Sequence, residues 1–434
     1  MTSEIARAVA DGRRAVIPNR CGPGMASTRP TDTVRPRHAL ALLANAEFRA
    51  VWLIGALTGV VRWLELLAFG VFVYDLSQSA LMVSLVSLLR MLPLALFGIV
   101  TGALVEHLGA KRTLVLGLAA MLTVAAGMLA IAWFGQITVW HLALAAFLGG
   151  LFWTTDLPAR RTMLGTIAGS ERVAQAMALD SATSNATRAL GPALGGLALA
   201  GIGLKGVLLF GVAGYALSLL LLLRVPEIAA SAIAGRLPGV WRGIRDGLRY
   251  AAGNREMAGA LAVTIIFNVW AFPYTAMIPV IGREVLGLGP FPVGLIMSAE
   301  GSGALLGALY LTAAARVELY RRYYFFGCLA CLAMILALAG SPGAWSAGLS
   351  VLIAGIGAGF FSTMQATLIF TLAPPELRSR LMGVLTVCIG TAPLGFAHVG
   401  LLADWLGPEP ALIVIAAEGL LASLVAWLYW PEIR

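Results

Sequence analysis

Twelve apolar stretches, joined by short polar segments, occupy most of the sequence after residue 50. A helix that spans a bilayer needs about 20 apolar residues, because in lipid every backbone polar group must be hydrogen-bonded within its own segment. The sequence therefore predicts an all-α membrane protein with about 12 transmembrane helices. The stretches lie roughly at 50–74, 80–105, 112–134, 137–157, 173–201, 204–223, 259–282, 291–313, 324–341, 344–372, 381–403 and 409–430.

The longest polar joint, 224–258, divides the stretches into two sets of six. We expect one six-helix bundle at 47–223, a second at 259–430 and a short cytosolic C-terminus at 431–434. The joint interleaves apolar and basic side chains, a pattern typical of an amphipathic helix on a membrane surface. These side chains are Trp241, Ile244, Leu248 and Tyr250 among Arg242, Arg245 and Arg249.

Residues 1–46 differ from the rest of the chain. Eight arginines and four prolines precede Val51, and no sustained apolar run follows the early arginines as it would in a signal peptide. We expect a disordered, basic cytosolic tail, with Met25 as an alternative translation start.

The positive charge indicates the orientation of the chain. The sequence is 59% hydrophobic and 12% charged, with a formal net charge of +9. With both termini in the cytosol, the inner segments carry 25 of the 30 lysines and arginines and the outer segments two. This asymmetry follows the positive-inside rule, so the charge points to a lipid bilayer and not to nucleic acid.

The two halves repeat each other at a constant spacing. Residues 98–104 (GIVTGAL) correspond to 303–309 (GALLGAL), and 167–171 (IAGSE) to 372–376 (LAPPE), both 205 positions later. Such parallel repeats predict two related bundles with a substrate site between them near the middle of the membrane.

A basic turn follows the second stretch, between two apolar runs. It contains Gly102, Glu106, Gly109, Lys111 and Arg112. Its pattern resembles the GxLxDRxGRR loop of the major facilitator superfamily, with Glu106 in place of the aspartate. The resemblance implies a cytosolic gate, in which a carboxylate accepts hydrogen bonds from a neighbouring helix or arginine in one conformational state.

Two further segments extend the resemblance. Asp156-Leu-Pro-Ala-Arg160 is expected to belong to the same cytosolic gate. The fifth stretch contains Gly191, Pro192, Gly195 and Gly196, which resemble the GPxxGG part of a motif from exporters of the superfamily. The sequence resembles the subgroup that includes enterobactin and macrolide exporters, which implies export.

Ionisable residues inside the stretches are the candidates for coupling and for charge in the cavity, because each costs a few kcal/mol in hydrocarbon unless it is paired. Arg62 and Glu65 share a helix face and can form a structural pair, or a gated pair that opens when Glu65 takes a proton or Arg62 meets an anionic substrate. Glu300 has no basic neighbour along its helix, so it either carries a proton or pairs across helices with Arg62, Arg90 or Arg188.

Other chemistry finds little support in the sequence. No nucleophile motif, metal-ligand cluster or phosphate-binding loop occurs, so an enzyme, a metal site and a cofactor are not expected. Uncharged polar and aromatic candidates for the cavity are Asn268, Trp270 and Gln365.

These observations together predict a monomeric secondary transporter in the cell membrane. We expect proton-coupled export of a hydrophobic or amphiphilic small molecule, such as a drug, siderophore or secondary metabolite, by alternating access. An importer of a small polar nutrient is the alternative, and a non-transporting receptor or assembly protein on the same scaffold is a third possibility.

Overall fold

The computed structural model describes residues 41–227 and 237–433, and every regular element in these ranges is helical. The long helices begin and end as follows: α1 Ala46–Ser77, α2 Ala80–Leu108, α3 Ala110–Trp133, α4 Val139–Ala168, α5 Val173–Leu223, α6 Leu237–Gly253, α7 Arg255–Val285, α8 Pro290–Ala314, α9 Tyr320–Ala339, α10 Ala344–Leu372, α11 Arg378–Leu406 and α12 Pro408–Tyr429. The predicted all-α fold is confirmed.

The 51 residues of α5 contain two membrane crossings. At Gly203 the backbone has φ 65° and ψ −170°, which breaks the helix between the fifth crossing and the sixth. Only glycine adopts this conformation without strain. The eleven long apolar helices of the described ranges therefore supply twelve crossings, with the break between the predicted stretches 173–201 and 204–223.

Several helix ends are fixed by capping side chains. The Asn45 carboxamide oxygen accepts hydrogen bonds from the backbone N–H groups of Glu47 and Phe48, and Asn254 accepts one from Met257. These caps satisfy N–H groups that have no partner within the helix. Residues 41–46 are predicted to belong to the disordered tail, but they form a 3₁₀ turn at Ala41–Ala44 and the start of α1. Tail residues 1–40 lie outside the described ranges.

The amphipathic helix in the polar joint is α6. Ile244 and Ala251 are buried in a cluster with Leu381 and Val384 of α11, whereas Leu248 is half exposed. Asp246 also accepts a hydrogen bond from Arg380 at 3.0 Å. The side chains of Trp241 and Arg242 are outside the described part of the structure. The joint thus rests against the first turns of α11.

Two faces of the bundle can be distinguished. We call the face that carries α6 and the α2–α3, α4–α5, α8–α9 and α10–α11 connections the terminal face, because α1 begins and α12 ends there. The other face, with the α1–α2, α7–α8 and α9–α10 connections, is called the opposite face. The two halves, α1–α5 and α7–α12, meet along α5 with α8 and along α2 with α11.

Glycine allows the halves to approach closely. A Cβ atom at Gly301 of α8 would lie 2.4 Å from the backbone of Arg188, and one at Gly196 of α5 would lie 2.6 Å from the Pro290 carbonyl oxygen. Small residues allow membrane helices to pack backbone against backbone in this way. The charged side chains of α5 and α8 are therefore brought together at the interface between the halves.

The break in α5 yields a stability prediction. Gly203→Ala should destabilise the protein by about 1–3 kcal/mol, because alanine is strained at this φ and ψ. Gly201→Ala is the matched control, since Gly201 is helical and a Cβ atom there meets nothing within 4 Å. Thermal unfolding in detergent measures both, and equal melting temperatures for the two variants would contradict the assigned break.

Candidate functional site

A cavity of about 80 Å³ lies between the two halves in the middle of the bundle. Residues from α1, α2, α4, α5, α7, α8 and α11 line it, and most of its wall is apolar. Its charged lining residues are Arg62, Arg90, Arg188 and Glu300, accompanied by the rings of Trp63 and Trp153. Four of the few charged side chains within the crossings therefore face one space.

The Arg188–Glu300 pair joins the two halves across this cavity. Arg188 Nε lies 2.7 Å from Glu300 Oε2, and Nη2 donates a second bond to Oε1. Such a two-pronged contact is the strongest arrangement between arginine and carboxylate. Glu300 is 4% exposed, so its charge depends on Arg188. Arg188 is thus the cross-helix partner of Glu300 among the three arginines that the sequence offers.

The predicted pairing of Arg62 with Glu65 is wrong. Glu65 Oε2 lies 3.9 Å from Arg90 Nη2 and accepts a hydrogen bond from the Tyr215 hydroxyl at 3.4 Å. Arg90 also donates to the Arg62 backbone carbonyl at 3.3 Å. The neighbouring helix α2 supplies the cation, and spacing along α1 alone could not reveal this.

Arg62 instead contacts two tryptophan rings. Its guanidinium carbon lies 5.5 Å from the ring centre of Trp63 and 5.2 Å from that of Trp153. A second arginine contacts Trp63, because the guanidinium carbon of Arg188 lies 5.4 Å from the centre of the same ring. These distances are typical of cation–π contacts. Trp63 thus contacts both Arg62 and the arginine of the Arg188–Glu300 pair.

A second charge cluster lies nearer the terminal face, between α4 and α5. Asp180 accepts hydrogen bonds from Arg160 and from Arg161 Nε, the latter at 2.9 Å. Arg160 Nε is also 3.6 Å from Asp156 Oδ2. The predicted gate residues Asp156 and Arg160 therefore contact each other, and Asp180 fixes both arginines to α5.

The basic turn between α2 and α3 lies on the terminal face. Gly109, with φ 84°, is the single residue between α2 and α3 and caps both helices. Arg112 Nε lies 3.1 Å from Glu227 Oε1 in an exposed pair. Lys111 is partly buried beside it. The surroundings of Gly102 and the side chain of Glu106 fall outside the described part of the structure, so the gate contact predicted for Glu106 stays a prediction.

The opposite face is closed by a contact between the halves. Arg283 Nε and Nη2 each lie 2.8 Å from Asp75 Oδ1, which links α7 to α1. On the terminal side, by contrast, a cleft of about 570 Å³ separates α4 and α5 from α8 and α10. The seam between α5 and α8 is therefore packed towards the opposite face, where Gly196 meets Pro290, and open towards the terminal face. The Asp75–Arg283 contact was missed in the sequence, because both residues lie at helix ends far apart in the chain.

The glycines of the exporter-like segment form helix contacts. A Cβ atom at Gly191 would lie 2.5 Å from Trp63 Cβ, and one at Gly195 would lie 2.8 Å from the Leu64 carbonyl oxygen. Gly196 faces α8 in the same way, while Pro192 lines the central cavity. The segment thus positions α5 between α1 and α8.

The three predicted polar and aromatic cavity residues do not line the central cavity. Trp270 Nε1 donates to Glu418 at 2.9 Å, and Glu418 also contacts His398 at 2.7 Å, away from the cavity. Asn268 is buried and donates to the Thr264 carbonyl, and Gln365 lies on α10 outside the lining. Trp153 does line the cavity. The sequence gives no indication of this beyond its position about one helical turn before Asp156.

Comparison with known proteins shows where this architecture occurs. The family model described as "Transmembrane secretion effector" (MFS_3) matches residues 37–431. Multidrug efflux pump Tap of Mycolicibacterium fortuitum is 26% identical, covering 88% of this chain and 95% of that protein. Macrolide efflux protein A of Streptococcus pyogenes is 20% identical, covering 83% of this chain and 90% of that protein. The solved structure of a POT family transporter in complex with 5-aminolevulinic acid has a TM-score of 0.71 at 13% identity, and the match covers 89% of this chain and 96% of that chain.

The pairing of Arg188 with Glu300 yields a second prediction. Arg188→Gln or Glu300→Gln alone should destabilise the protein by about 3 kcal/mol, because each leaves a buried charge without its partner. The double variant should recover much of this loss, since neither charge remains. Thermal unfolding of the four proteins measures the interaction, and additive losses would contradict a direct pair.

Proposed function

We propose that this chain, which belongs to the transmembrane secretion effector family of the major facilitator superfamily, is a proton-coupled exporter of hydrophobic or amphiphilic small molecules. Family membership makes it a multi-pass membrane transporter and not an enzyme. The proposal of proton coupling rests on the Arg188–Glu300 pair, which joins the two halves in the wall of the central cavity.

The position of Glu300 suits a proton carrier. A carboxylate in a low-dielectric interior keeps its charge only while a cation is close, and otherwise favours the neutral, protonated form. A proton on Glu300 would therefore remove the attraction that holds α8 to Arg188 of α5. Glu65 offers a second candidate, because it is buried and depends on Arg90 of α2 in the same way.

One contact and one cleft support alternating access as the mechanism. The Asp75–Arg283 pair closes the opposite face between α1 and α7, while the cleft along α5 and α8 is open at the terminal face. Rocking of one half against the other would break the first contact and close the cleft. In the proposed cycle the Arg188–Glu300 pair lies near the pivot, and its protonation state decides which rocking step is permitted.

Export is favoured over import by the cavity wall and by the relatives. The relatives reported above are named as efflux proteins, and the Gly191–Gly196 segment resembles an exporter motif. The cavity wall is largely apolar, with aromatic side chains and few uncharged hydrogen-bonding groups. An importer of polar nutrients would need more such groups to replace the hydration of its substrate.

We place the terminal face in the cytoplasm and the protein in the cell membrane. The inner segments would then carry 25 of the 30 lysines and arginines, in accord with the positive-inside rule. In this orientation the open cleft receives substrate from the cytoplasm and the Asp75–Arg283 contact closes the outer side. A monomer is the proposed working unit, since the central cavity lies within one chain.

A neutral variant of Glu300 tests the proposed coupling. Glu300→Gln should abolish proton-gradient-driven substrate accumulation in proteoliposomes and retain substrate exchange, because glutamine cannot take up a proton but still fills the site. Glu418→Gln is the matched control, an acid within a crossing but outside the central cavity. Gradient-driven accumulation by Glu300→Gln at the wild-type rate would remove Glu300 from the mechanism.

The contact at the opposite face yields a separate prediction. In a Cys21→Ser background, Asp75→Asn should speed external maleimide labelling of the cavity thiol introduced by Ser87→Cys by about two- to fivefold, the value expected for one partly exposed ion pair. The three other cysteines, Cys328, Cys331 and Cys388, are buried. Asp404→Asn, an exposed acid on α11, is the control. Unchanged labelling in Asp75→Asn would show that the pair does not hold the face closed.

A further inference from the structure

The central cavity contains one more positive charge than its surroundings balance. The charged groups that line it or the small pocket beside it, together with the ion-pair network they belong to, are five arginines and four carboxylates in the described ranges. The carboxylates Glu65, Asp156, Asp180 and Glu300 each lie within 4 Å of an arginine. Arg62 is the arginine without such a partner in this set.

Arg62 is also poorly supplied with hydrogen bonds. Its Nε atom is buried and has no acceptor, and its guanidinium donates to no described residue. The indole Nε1 of the adjacent Trp63 is buried without an acceptor as well. Unpartnered buried donors are rare, because each forfeits the hydrogen bonds it would make in water. Two neighbouring donors without acceptors therefore indicate a place for an acceptor from outside the chain.

Asp156 does not fill this place. It lines a small pocket together with Arg62, but the two side chains form no pair within 4 Å, and Asp156 contacts Arg160. The pocket holds about 10 Å³, which is close to the space of a single water molecule. A water can connect the two groups there, while the larger cavity on the other side remains open to Arg62.

We propose that the cavity binds an anionic amphiphile, with Arg62 as the receptor for a carboxylate and the rings of Trp63 and Trp153 against its aromatic or apolar body. This inference rests on the proposed transport function and specifies its substrate class. Arg62 lines the cavity beside both rings and its buried Nε has no acceptor, and a guanidinium can hold both oxygens of one carboxylate. An anion at this position neutralises the unbalanced charge.

The site is separate from the proposed proton site. Both arginines contact Trp63, but Arg188 is held by Glu300, whereas Arg62 has no carboxylate of the described residues within 4 Å. The substrate anion and the proton therefore act on different arginines. When an anion leaves and a proton enters, each movement makes the inside of the cell one charge more positive. A membrane potential that is negative inside therefore drives this export.

Three probes that share a pyrenebutyl body test this site: 1-pyrenebutanoate, 1-pyrenebutanol and (1-pyrenebutyl)trimethylammonium. Energy transfer from tryptophan to pyrene measures binding to the full chain in lipid nanodiscs, with empty nanodiscs subtracted. The wild-type protein should bind the carboxylate at least about tenfold more tightly than the ammonium probe, the difference expected for one charged hydrogen-bonded contact. A preference for the ammonium probe, or no preference, would overturn the proposal without any variant.

Variants locate the preference. Arg62→Gln should weaken carboxylate binding at least about tenfold and leave alcohol binding within about twofold, which also shows that the variant is folded. Arg62→Lys keeps the charge but loses the planar fork, and should fall in between. Arg316→Gln removes an exposed arginine outside the cavity and should bind like the wild type. Unchanged carboxylate binding in Arg62→Gln would overturn the assignment.

A transport measurement separates this inference from the proposed function. If the carboxylate binds through Arg62 but a pH gradient across proteoliposomes moves none of the probes, proton-driven export is wrong and the anion site stands. If the gradient moves the carboxylate probe equally well in the wild type and in Arg62→Gln, export stands and the anion site is wrong.

Discussion

The cost of charge in a low-dielectric interior governs this molecule. An arginine in a membrane crossing keeps its positive charge, so each one must find a carboxylate, an aromatic ring or a bound anion. Arg188 finds Glu300 on the other half, Arg90 finds Glu65 on α1, and Arg62 finds two tryptophan rings. Helix packing at the centre of the bundle is therefore also charge pairing, and a change in one charge alters how the halves fit together.

The glycines along α5 and α8 make this pairing possible. Gly196 and Gly301 allow the two helices to touch backbone to backbone, which brings Arg188 within reach of Glu300. The same contact lies in the wall of the cavity, so the proposed proton and substrate sites both adjoin the interface between the halves. Coupling between ligand and conformation then needs no long pathway, because the ligand sites are part of the interface.

Much of the fold could be predicted from the sequence, because apolar length and charge asymmetry are properties of single segments. Even the break at Gly203 falls between two predicted stretches. The ion pairs could not be predicted, since they depend on which helices become neighbours. Spacing along α1 predicts Arg62 as the partner of Glu65, but Glu65 contacts Arg90 of α2. Trp270 was placed in the cavity by its helix, yet it lies on the side that packs against Glu418. Helix rotation is set by packing that spacing does not encode.

The central claim is that protonation of Glu300 releases the two halves from each other at the middle of the membrane. The distance between spin labels at two exposed positions of the opposite face, Gln136 in one half and Trp345 in the other, tests it most directly. Acidification should populate a longer distance in the wild type, and Glu300→Gln should show that distance at every pH. A distribution that does not change with pH, or a Glu300→Gln variant that matches the wild type at high pH, would contradict the account.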